Sequence, residues 1–254
     1  MKGKLRHLWP VALLLCIFII PGAGQVSAQI RVISANPVSE AIIELAEAFE
    51  RMTGYPVTVE VMGTNAINQL LASNEPADIL VGTLAIVDQA VTDNHASSPG
   101  ILVARVGIGI IIRDGAPVTD VSTVSAFRQA ALEADGVIFN TAGSGQSVGR
   151  MFEELGISEQ IRPKSARPAN AAETMDRMSA GQGMEIGFGL LSEIRPYEGN
   201  GIVLIGRLPE ELQTWINYGG IVLHRSGTPL IAAEFLQYLV SDAARETFAA
   251  TGVD

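Results

Sequence analysis

Residues 101–115, ILVARVGIGIIIRDG, decide how the rest of the chain is organised. The stretch is longer than the five or six residues of an average strand, and Gly107 and Gly109 interrupt its branched apolar side chains. A long strand with internal glycines can pass from one domain into another. The stretch therefore predicts a chain crossing between two domains.

Strand and helix patterns alternate before this crossing. Residues 29–35 (QIRVISA) predict a strand, and residues 36–54 predict a helix with Asn36 as N-cap, Pro37 in the first helical position and Gly54 as terminator. The stretches YPVTVEVM, GTNAINQLLAS and ADILVGT then repeat strand, helix and strand. The result is a βαβαβ unit, which is typical of parallel sheets in α/β proteins.

A second series of helix and strand patterns follows the crossing and ends in a helical segment terminated by Gly252. The extended stretches after residue 200 offer a return path to the first domain. No Ser- or Pro-rich linker separates the halves, so we expect a discontinuous first lobe. The predicted boundaries are residues 29–108 with 206–254 for lobe I and residues 109–205 for lobe II.

The N-terminal segment has the pattern of a secretory signal peptide. Lys2, Lys4 and Arg6 precede ten apolar residues, 11–20, and a small-residue cleavage site ends at Ala28. The apolar run is too short for a stable transmembrane anchor, which needs about twenty residues. We therefore predict cleavage after residue 28 and an exported, periplasmic protein that is not inserted in the membrane.

Composition excludes several classes of function. Cys16 is the only cysteine and lies in the signal segment, so neither a disulfide framework nor thiolate chemistry is expected. Loss of three of the 17 Lys and Arg residues leaves 14 against 27 Asp and Glu, a net charge near −13. A nucleic-acid partner is not expected because such a partner requires a basic surface. A small anion is compatible, since local donors dominate at contact distance.

Residues 140–150, NTAGSGQSVGR, carry the main candidate for binding. A strand pattern ends before them and a helix pattern follows, which places Ser144 at the N-cap and directs the amides of Gly145, Gln146 and Ser147 towards the space before the helix. Such amides bind anions, and the helix dipole contributes about 0.3–1 kcal/mol. The alternative is that Ser144 only caps the helix. The stretches SANPVS and GTNA repeat the arrangement in the first half, so donors from both domains would meet across a cleft.

A hydrolase is the rival interpretation of the same cleft. The stretch GQSVG matches the nucleophile-elbow pattern with Ser147 as nucleophile, and Asp176 and His224 follow in triad order. Asp78 and Glu193 are further candidates for a base. Five residues separate the preceding strand from Ser147, whereas an elbow follows its strand directly. No metal motif occurs in the sequence, and no cofactor is expected.

The order and spacing of five stretches resemble the type II periplasmic solute-binding proteins, in the branch that contains the molybdate-binding components of ABC importers. These stretches are IRVISANPVSEAIIELAEAFERMTG, PADILVGT, SGQSVGRMFEELGI, EIGFGLLSEI and AAEFLQYLVSDAARETFAATG. The resemblance implies an α/β fold with two lobes, each a mostly parallel sheet flanked by helices. It also implies two crossing strands and a ligand buried between the lobes.

The resemblance also indicates where the ligand site departs from that of molybdate binders. Pro37 stands where the family has a serine, with Ser39 as a nearby substitute, Thr64 keeps a hydroxyl, and Leu190 replaces the family's tyrosine. An organic carboxylate suits these changes better than a tetrahedral oxyanion. The predicted ligand-binding residues are Asn36, Pro37, Val38, Ser39, Thr64, Asn65, Ser144, Gly145, Gln146, Ser147, Arg150, Gly189 and Leu190.

Arginine side chains are the candidate cationic partners of such a ligand. Arg150 could bind a carboxylate with two hydrogen bonds, while Arg105 and Arg113 beside the crossing are weaker candidates. Phe188 could line the site. We therefore predict a monomeric, non-catalytic binding protein that captures a small anion between two lobes. The expected partner is the membrane permease of an ABC importer, and a membrane sensor is the alternative recipient.

Overall fold

The computed structural model describes residues 29–73 and 75–254. The predicted signal peptide, residues 1–28, lies outside the described residues. Within the described part of the chain, no helix is long and apolar enough to span a membrane.

The first of two five-stranded sheets combines strands from both ends of the chain. With strands numbered along the chain, it contains β1 (Ile30–Ala35), β2 (Val57–Met62), β3 (Ile79–Thr83), β4 (Ile101–Val106) and β10 (Ile216–Val222). Their spatial order is β2-β1-β3-β10-β4. The β1–β2 and β1–β3 pairs are parallel, and β10 is antiparallel to both β3 and β4. The helices of this half are α1 (Asn36–Thr53), α2 (Thr64–Ser73), α3 (Leu84–Thr92), α9 (Pro229–Leu239) and α10 (Asp242–Ala250).

The second sheet repeats this pattern with the middle of the chain. It contains β5 (Ile108–Arg113), β6 (Gly136–Ile138), β7 (Ser165–Ala166), β8 (Glu185–Leu190) and β9 (Ile202–Arg207), in the order β7-β6-β8-β5-β9. The β6–β7 and β6–β8 pairs are parallel, and β5 is antiparallel to β8 and β9. The helices here are α4 (Val124–Glu133), α5 (Gly143–Glu154), α6 (Ser158–Ile161), α7 (Ala171–Ser179) and α8 (Leu191–Ile194), with single 3-10 turns at Arg162–Lys164, Arg195–Tyr197 and Glu210–Leu212.

The predicted two-lobed α/β architecture is confirmed. The sheets are mixed: in each sheet four of the five strands point the same way, while two of the four strand pairings are antiparallel. The long apolar stretch divides at Gly107 into β4 of one sheet and β5 of the other. The chain returns through residues 208–215, which connect β9 to β10.

The two crossings are tied together by Gln213. Its side-chain oxygen accepts a hydrogen bond from the Ile108 N–H at 2.9 Å, and its amide donates to the Ile108 carbonyl at 3.1 Å. Nearby, the Arg105 guanidinium lies 4.3 Å from the Trp215 ring centroid. A relative movement of the two sheets would therefore change the surroundings of Trp215.

The apolar pattern of α1 places one helix face in the core. Ile42, Leu45 and Phe49 are buried, and the Phe49 ring lies 5.1 Å from that of Phe235 on α9. Met52, which shares their spacing, is 62% exposed because it lies in the last turn of the helix. The buried face fixes α1 across the first sheet and thereby fixes the position of its N-terminus.

Helix boundaries differ from the predicted ones at two N-termini. The N-cap of α1 is Ala35, so Asn36 is the first helical residue, and the N-cap of α5 is Ala142, so Ser144 is the second. Neither helix has a hydrogen bond from the side chain of its N-cap residue. The predicted terminator Gly54 adopts the left-handed conformation, with φ of 77°.

Candidate functional site

The topology brings the carboxyl ends of the parallel strands in both sheets to the same region. At the edge of the first sheet, Val106 pairs with Ile216, the first residue of β10. In the second sheet, the first residue of β5, Ile108, pairs with Leu190, the last residue of β8. Since only Gly107 separates β4 from β5, the two carboxyl edges face each other across the crossing. The helices that follow these strands begin in this space, which we call the interlobe cleft.

Helix α1 presents backbone donors to the cleft. The first-turn N–H groups of Asn36 and Val38 have no acceptor within α1 itself, and Pro37 has no N–H. Asn36 is exposed. Ser39 does not provide the expected hydroxyl donor, because it is 8% exposed and its Oγ donates to the Asn36 carbonyl at 2.8 Å.

Two further helices begin beside α1. Thr64 and Asn65 occupy the first turn of α2, where both are exposed. At the start of α3, the Thr83 hydroxyl accepts a hydrogen bond from the Ile86 N–H at 3.4 Å. Thr83 was not among the predicted site residues, although a threonine between a buried strand and a helix pattern is an N-cap signature. In this first half, three helix starts therefore lie along the edge of one sheet.

The predicted donors of α5 are arranged differently from the expectation. The Asn140 side-chain oxygen accepts hydrogen bonds from Ala142 N at 3.0 Å and from Gly145 N at 3.2 Å. Gln146 N donates to the Ala142 carbonyl at 2.9 Å. Gly145 and Gln146 thus already have acceptors, and the N–H groups of Gly143 and Ser144 are the ones without an acceptor among the described residues. The candidate donor N–H groups are therefore Gly143 and Ser144, two residues closer to the start of the helix than Gly145 and Gln146.

Gly145 is required by the close packing of this turn. An added Cβ would lie 1.8 Å from the Asn140 carbonyl oxygen, which is backbone and cannot move aside. By contrast, a Cβ on Gly143 would meet no atom within 4 Å. The glycine therefore allows residue 140 to fold back over the helix start.

Two guanidinium groups lie at the start of α5. Arg150 donates to Ser147 Oγ at 2.9 Å, and that hydroxyl donates to the Gly143 carbonyl at 3.2 Å, so the Arg150 head group points back towards the first turn. Arg167 donates to the Asn140 carbonyl at 3.1 Å and 3.3 Å and lies 4.1 Å from the Phe139 ring centroid. Arg167 comes 27 residues after Asn140, so its place could not be inferred from the sequence.

Leu190 and Gly189 do not offer groups to a ligand. Leu190 is 3% exposed, and its N–H lies near the Glu193 carboxyl. The vacant Cβ position of Gly189 faces Met175 at 2.7 Å and Ile194 at 3.2 Å. This part of β8 is therefore packed against helices.

Phe188 is likewise part of the core. It is 1% exposed, and its ring lies 6.0 Å from Phe127 and 5.7 Å from Phe152. It does not line the cleft as expected from the sequence.

Glu193 joins the two halves of the cleft. Its carboxyl lies near the Asn36 side chain at the start of α1 and near the Leu190 N–H at the start of its own helix. Burial raises its pKa from an ordinary value near 4.5 to about 7, and these two neighbouring groups lower the pKa by a smaller amount. Tyr218, in β10, is 2% exposed, and burial together with the nearby Glu193 charge raises its pKa. Its hydroxyl therefore stays protonated at neutral pH.

The residues of the hydrolase alternative are not assembled. His224 follows β10 at the opposite edge of the first sheet, where its Nδ1–H donates to the Asn94 carbonyl at 3.0 Å and its Nε2 contacts Ser97 Oγ. Ser147 is held in α5 of the second half. Asp176 is exposed on α7. The alternative triad of Ser147, Asp176 and His224 is not formed, because its serine and histidine lie in different halves at different edges.

Asp78 has a structural role at the start of β3. Its carboxylate accepts hydrogen bonds from Arg31 N at 2.8 Å, Ser226 Oγ at 2.5 Å and Thr228 Oγ1 at 3.2 Å. The carboxylate fastens β1 and the turn before α9 to one another. Since all these contacts are at the edge opposite the cleft, Asp78 is not a base for cleft chemistry.

The weaker arginine candidates also lie outside the helix starts. Arg113 ends β5, at the edge of the second sheet away from the crossing, and donates to the Asp114 carbonyl at 2.7 Å. Arg105 stacks over Trp215. Within residues 29–73 and 75–254, no group of three or more His, Cys, Asp or Glu side chains is arranged to hold a metal ion.

Two mixed sheets joined by two crossings, with helix N-termini at the facing edges, define a two-lobed solute-binding protein of type II. The chain belongs to the family of bacterial extracellular solute-binding proteins, whose model matches residues 30–254.

Comparison with known proteins gives one curated relative and many structural neighbours. Aconitate isomerase from a Pseudomonas species is 29% identical over 231 residues, which cover 88% of this chain and 87% of that protein. The substrate-binding domain assigned to a molybdenum ABC transporter of Clostridium difficile has a TM-score of 0.75 at 14% identity, covering 89% of this chain and 98% of that chain. The periplasmic molybdate-binding protein of Azotobacter vinelandii has a TM-score of 0.70 at 13% identity, with the same coverage. These neighbours share the fold with this chain.

Proposed function

We propose that this protein captures a small organic polycarboxylate in the interlobe cleft. The observation that carries the proposal is the convergence of helix starts from both halves, with the Arg150 guanidinium directed back along α5. Backbone N–H groups at helix starts bind carboxylates without a counter-charge, and guanidinium groups bind them with two parallel hydrogen bonds. The site therefore combines neutral donors from lobe I with charged and neutral donors from lobe II.

Several features favour a carboxylate over a tetrahedral oxyanion. Pro37 provides no N–H, the Ser39 hydroxyl is directed to its own helix, and Leu190 is packed in the interior. These departures weaken the dense shell of neutral donors that a tetrahedral oxyanion requires. Arg150 and Arg167 add planar donors suited to carboxylates. The relative named aconitate isomerase is named for a tricarboxylate, and it is 29% identical to this chain.

Capture works by closure of the two lobes. Ligand contacts made by both halves stabilise the closed state, and closure proceeds as far as the difference in affinity between the states allows. The lobes we propose are residues 29–106 with 216–254 and residues 108–207, with the crossings at Gly107 and residues 208–215 as hinges. They differ from the predicted boundaries because Ile108 begins β5 and Arg207 ends β9, both in the second sheet. The predicted signal peptide places the monomeric protein in the periplasm. There it delivers an unaltered ligand to the permease of an ABC importer.

A ligand panel tests the proposal. Purified protein is titrated calorimetrically, and its melting temperature is measured, with molybdate, sulfate, phosphate and mono-, di- and tricarboxylates including cis- and trans-aconitate. We expect di- and tricarboxylates to bind at one per chain and to stabilise the protein by about 2.7 kcal/mol at a hundredfold excess over Kd. Binding of only the tetrahedral oxyanions would refute the carboxylate assignment.

A matched pair of variants at Ser144 locates the site. Ser144→Pro removes the N–H at the second helical position, where proline is compatible with the helix. Ser144→Ala keeps that N–H and removes the hydroxyl. We expect the proline variant to lose at least about tenfold in affinity, in line with about 1.5 kcal/mol for a hydrogen bond to a charged group. Equal affinity in both variants would exclude the α5 donors from the site.

A sensor is the alternative recipient of the loaded protein. The permease and the sensor are distinguished by transport. Deletion of the gene should abolish uptake of the identified carboxylate if delivery to an importer is correct. Unchanged uptake with lost transcriptional response would favour the sensor.

A further inference from the structure

A cavity of about 240 Å³ lies in lobe II between α5, α6 and the end of β7. Its lining residues on α5 are Gly149, Phe152 and Glu153, all in the second half of that helix. Glu153, the acid among the lining residues, is exposed to solvent. Gly149 comes six residues after Gly143, which is about 9 Å along the axis at about 1.5 Å per residue. The cavity is therefore separate from the helix starts that border the interlobe cleft.

The floor of the cavity is aromatic and apolar. Phe139 and Phe152 are 4% and 1% exposed, and their ring centroids lie 5.7 Å apart in an edge-to-face arrangement. Ile161 of α6 adds a third buried apolar side chain. The volume is that of about eight water molecules at about 30 Å³ each. A single aromatic ring with one small substituent therefore fits in size, and aromatic walls favour such a ring.

Gly149 leaves space beside α5 that the protein does not fill. Among the described residues, an added Cβ would meet only the Phe139 ring, at 3.8 Å, which is an ordinary van der Waals contact. Gly149 lies within α5 and does not have a positive φ. Glycine inside a helix is less stable than alanine, because it loses more backbone freedom on folding. Neither packing nor backbone conformation accounts for this glycine, whereas a ligand lying against the helix would.

Arg167 stands between the cavity and the cleft. It lines the cavity over the Phe139 ring, and its Nε and Nη2 donate to the Asn140 carbonyl at 3.3 Å and 3.1 Å. Within the described residues its Nη1 donates to no residue, and the guanidinium forms no ion pair. Arg162, the other cation of the lining, is paired with Glu159. Arg167 therefore offers the cavity an unpaired cation with planar donors suited to a carboxylate.

We propose that this cavity is a second ligand site, which binds a single-ring aromatic carboxylate and thereby lowers the affinity of the cleft for its polycarboxylate. The ring lies against Phe139, Phe152 and Gly149, and the carboxylate binds Arg167. The second site stands independently of the proposed function, whereas its effect on the cleft rests on that function.

Asn140 connects the two sites. Its carbonyl accepts the hydrogen bonds of Arg167, and its side-chain oxygen accepts those of Ala142 N and Gly145 N at the start of α5. A carboxylate in the cavity neutralises part of the Arg167 charge and adds a negative charge near that helix start. Both changes weaken the attraction of the cleft for an anion. Because coupling between two binding sites is reciprocal, an anion in the cleft weakens binding in the cavity by the same factor.

The first experiment measures binding in the cavity directly. The protein is titrated with 4-fluorobenzoate and, separately, with 4-fluorobenzyl alcohol, and the ligand is followed by fluorine NMR. We expect saturable binding of the carboxylate at one per chain, and at least about tenfold weaker binding of the neutral alcohol, which cannot make a charge-assisted hydrogen bond to Arg167. Absence of 4-fluorobenzoate binding would overturn the second site. Equal binding of the alcohol would overturn the carboxylate assignment.

The second experiment locates the site with a leucine at two positions. Gly149→Leu fills the cavity and should weaken 4-fluorobenzoate binding by at least about tenfold, because the ligand would then overpack it. The same variant should bind the polycarboxylate in the cleft with wild-type affinity. Gln160→Leu adds the same side chain at an exposed position of α6 outside the lining, and should bind 4-fluorobenzoate as wild type does. Undiminished 4-fluorobenzoate binding by Gly149→Leu would contradict the location.

Gly149→Ala tests whether the space beside α5 is empty. Alanine fits without a close contact and favours the helix, so the melting temperature of the free protein should rise. A lower melting temperature would show that protein atoms occupy the space, and the argument from Gly149 would fail.

The third experiment measures the coupling. The polycarboxylate identified by the ligand panel is titrated calorimetrically with and without saturating 4-fluorobenzoate. We expect its affinity to fall by about fivefold and then to reach a plateau, and to stay unchanged in Gly149→Leu. A fall without a plateau would place both ligands in the cleft and overturn the second site. Unchanged affinity with both ligands bound would overturn the coupling alone. Binding of 4-fluorobenzoate without any polycarboxylate binding would refute the proposed function and the coupling, and would support the cavity site.

Discussion

Replacing Glu193 by glutamine should change how the stability of the protein depends on pH. The folded protein holds this carboxyl with a pKa of about 7, whereas in the unfolded chain the pKa is near its ordinary value of 4.5. Between these values the folded state binds the proton more tightly than the unfolded chain. The Glu193 contribution to stability is therefore fully present below about pH 4.5 and is lost as pH rises through 7.

The size of the effect follows from the shift in pKa. One pKa unit corresponds to 1.36 kcal/mol, so a rise from 4.5 to about 7 corresponds to a loss of at most about 3 kcal/mol between pH 4 and 8. The measured loss should lie below this limit, because the carboxyl is half-buried and reached by solvent. The glutamine side chain of the Glu193→Gln variant does not titrate and resembles the protonated acid. The variant should therefore be close to wild type in stability at pH 4 and exceed it at pH 8.

Urea unfolding at pH 4 and pH 8 measures this difference. Other carboxylates contribute in the opposite direction, for example Glu60, whose pKa is lowered by its hydrogen bond to Arg31. The comparison of wild type with Glu193→Gln at each pH cancels these contributions. Glu198→Gln, at an exposed position, should reproduce the wild-type dependence. Parallel pH dependence in wild type and Glu193→Gln would show that the carboxyl is not buried at the lobe junction, and the reasoning would fail.

Three further predictions concern packing and movement. Gly145→Ala should destabilise the protein by about 1–3 kcal/mol and weaken ligand binding, because its Cβ would collide with the Asn140 carbonyl. Gly143→Ala, whose Cβ meets no atom, is the control in thermal unfolding and calorimetry. Equal stability and affinity of the two variants would contradict the packing. Asp78→Ala should cost about 3 kcal/mol in urea unfolding without changing ligand affinity, since it leaves buried donors unpaired away from the cleft; a lost ligand affinity would place Asp78 in the site instead. Trp215 is the only tryptophan after the predicted signal peptide, and its fluorescence should change saturably with a ligand that closes the lobes; ligand binding with unchanged emission would argue against movement at the crossing.

Much of the fold could be predicted from local patterns in the sequence. The apolar strand at residues 79–83, the amphipathic face of α1 and the terminating Gly54 depend on neighbours within a few residues. The glycines of residues 101–115 predicted the crossing, and the chain does change sheets at Gly107. Local sequence determines such features because helix periodicity, strand burial and left-handed turns act over short distances along the chain.

The donors of the candidate site could be predicted only in outline. Ser144 was expected to cap α5, but Asn140 folds back and accepts the hydrogen bond from Gly145. Arg167 reaches the same turn from 27 residues away, and Thr83 begins a third helix at the cleft. Which acceptor a given amide finds depends on the packing of side chains distant in sequence.

The sequence alone determined that this protein has two α/β lobes, a crossing at residues 101–115 and helix starts rich in small polar residues. Only the tertiary structure decided which of those helix starts keep free donors and that Glu193 contacts α1 across the lobe junction. The physical reason is that the burial and pKa of Glu193 depend on Asn36 and Tyr218, which lie far from it along the chain and meet it only through the folding of both sheets.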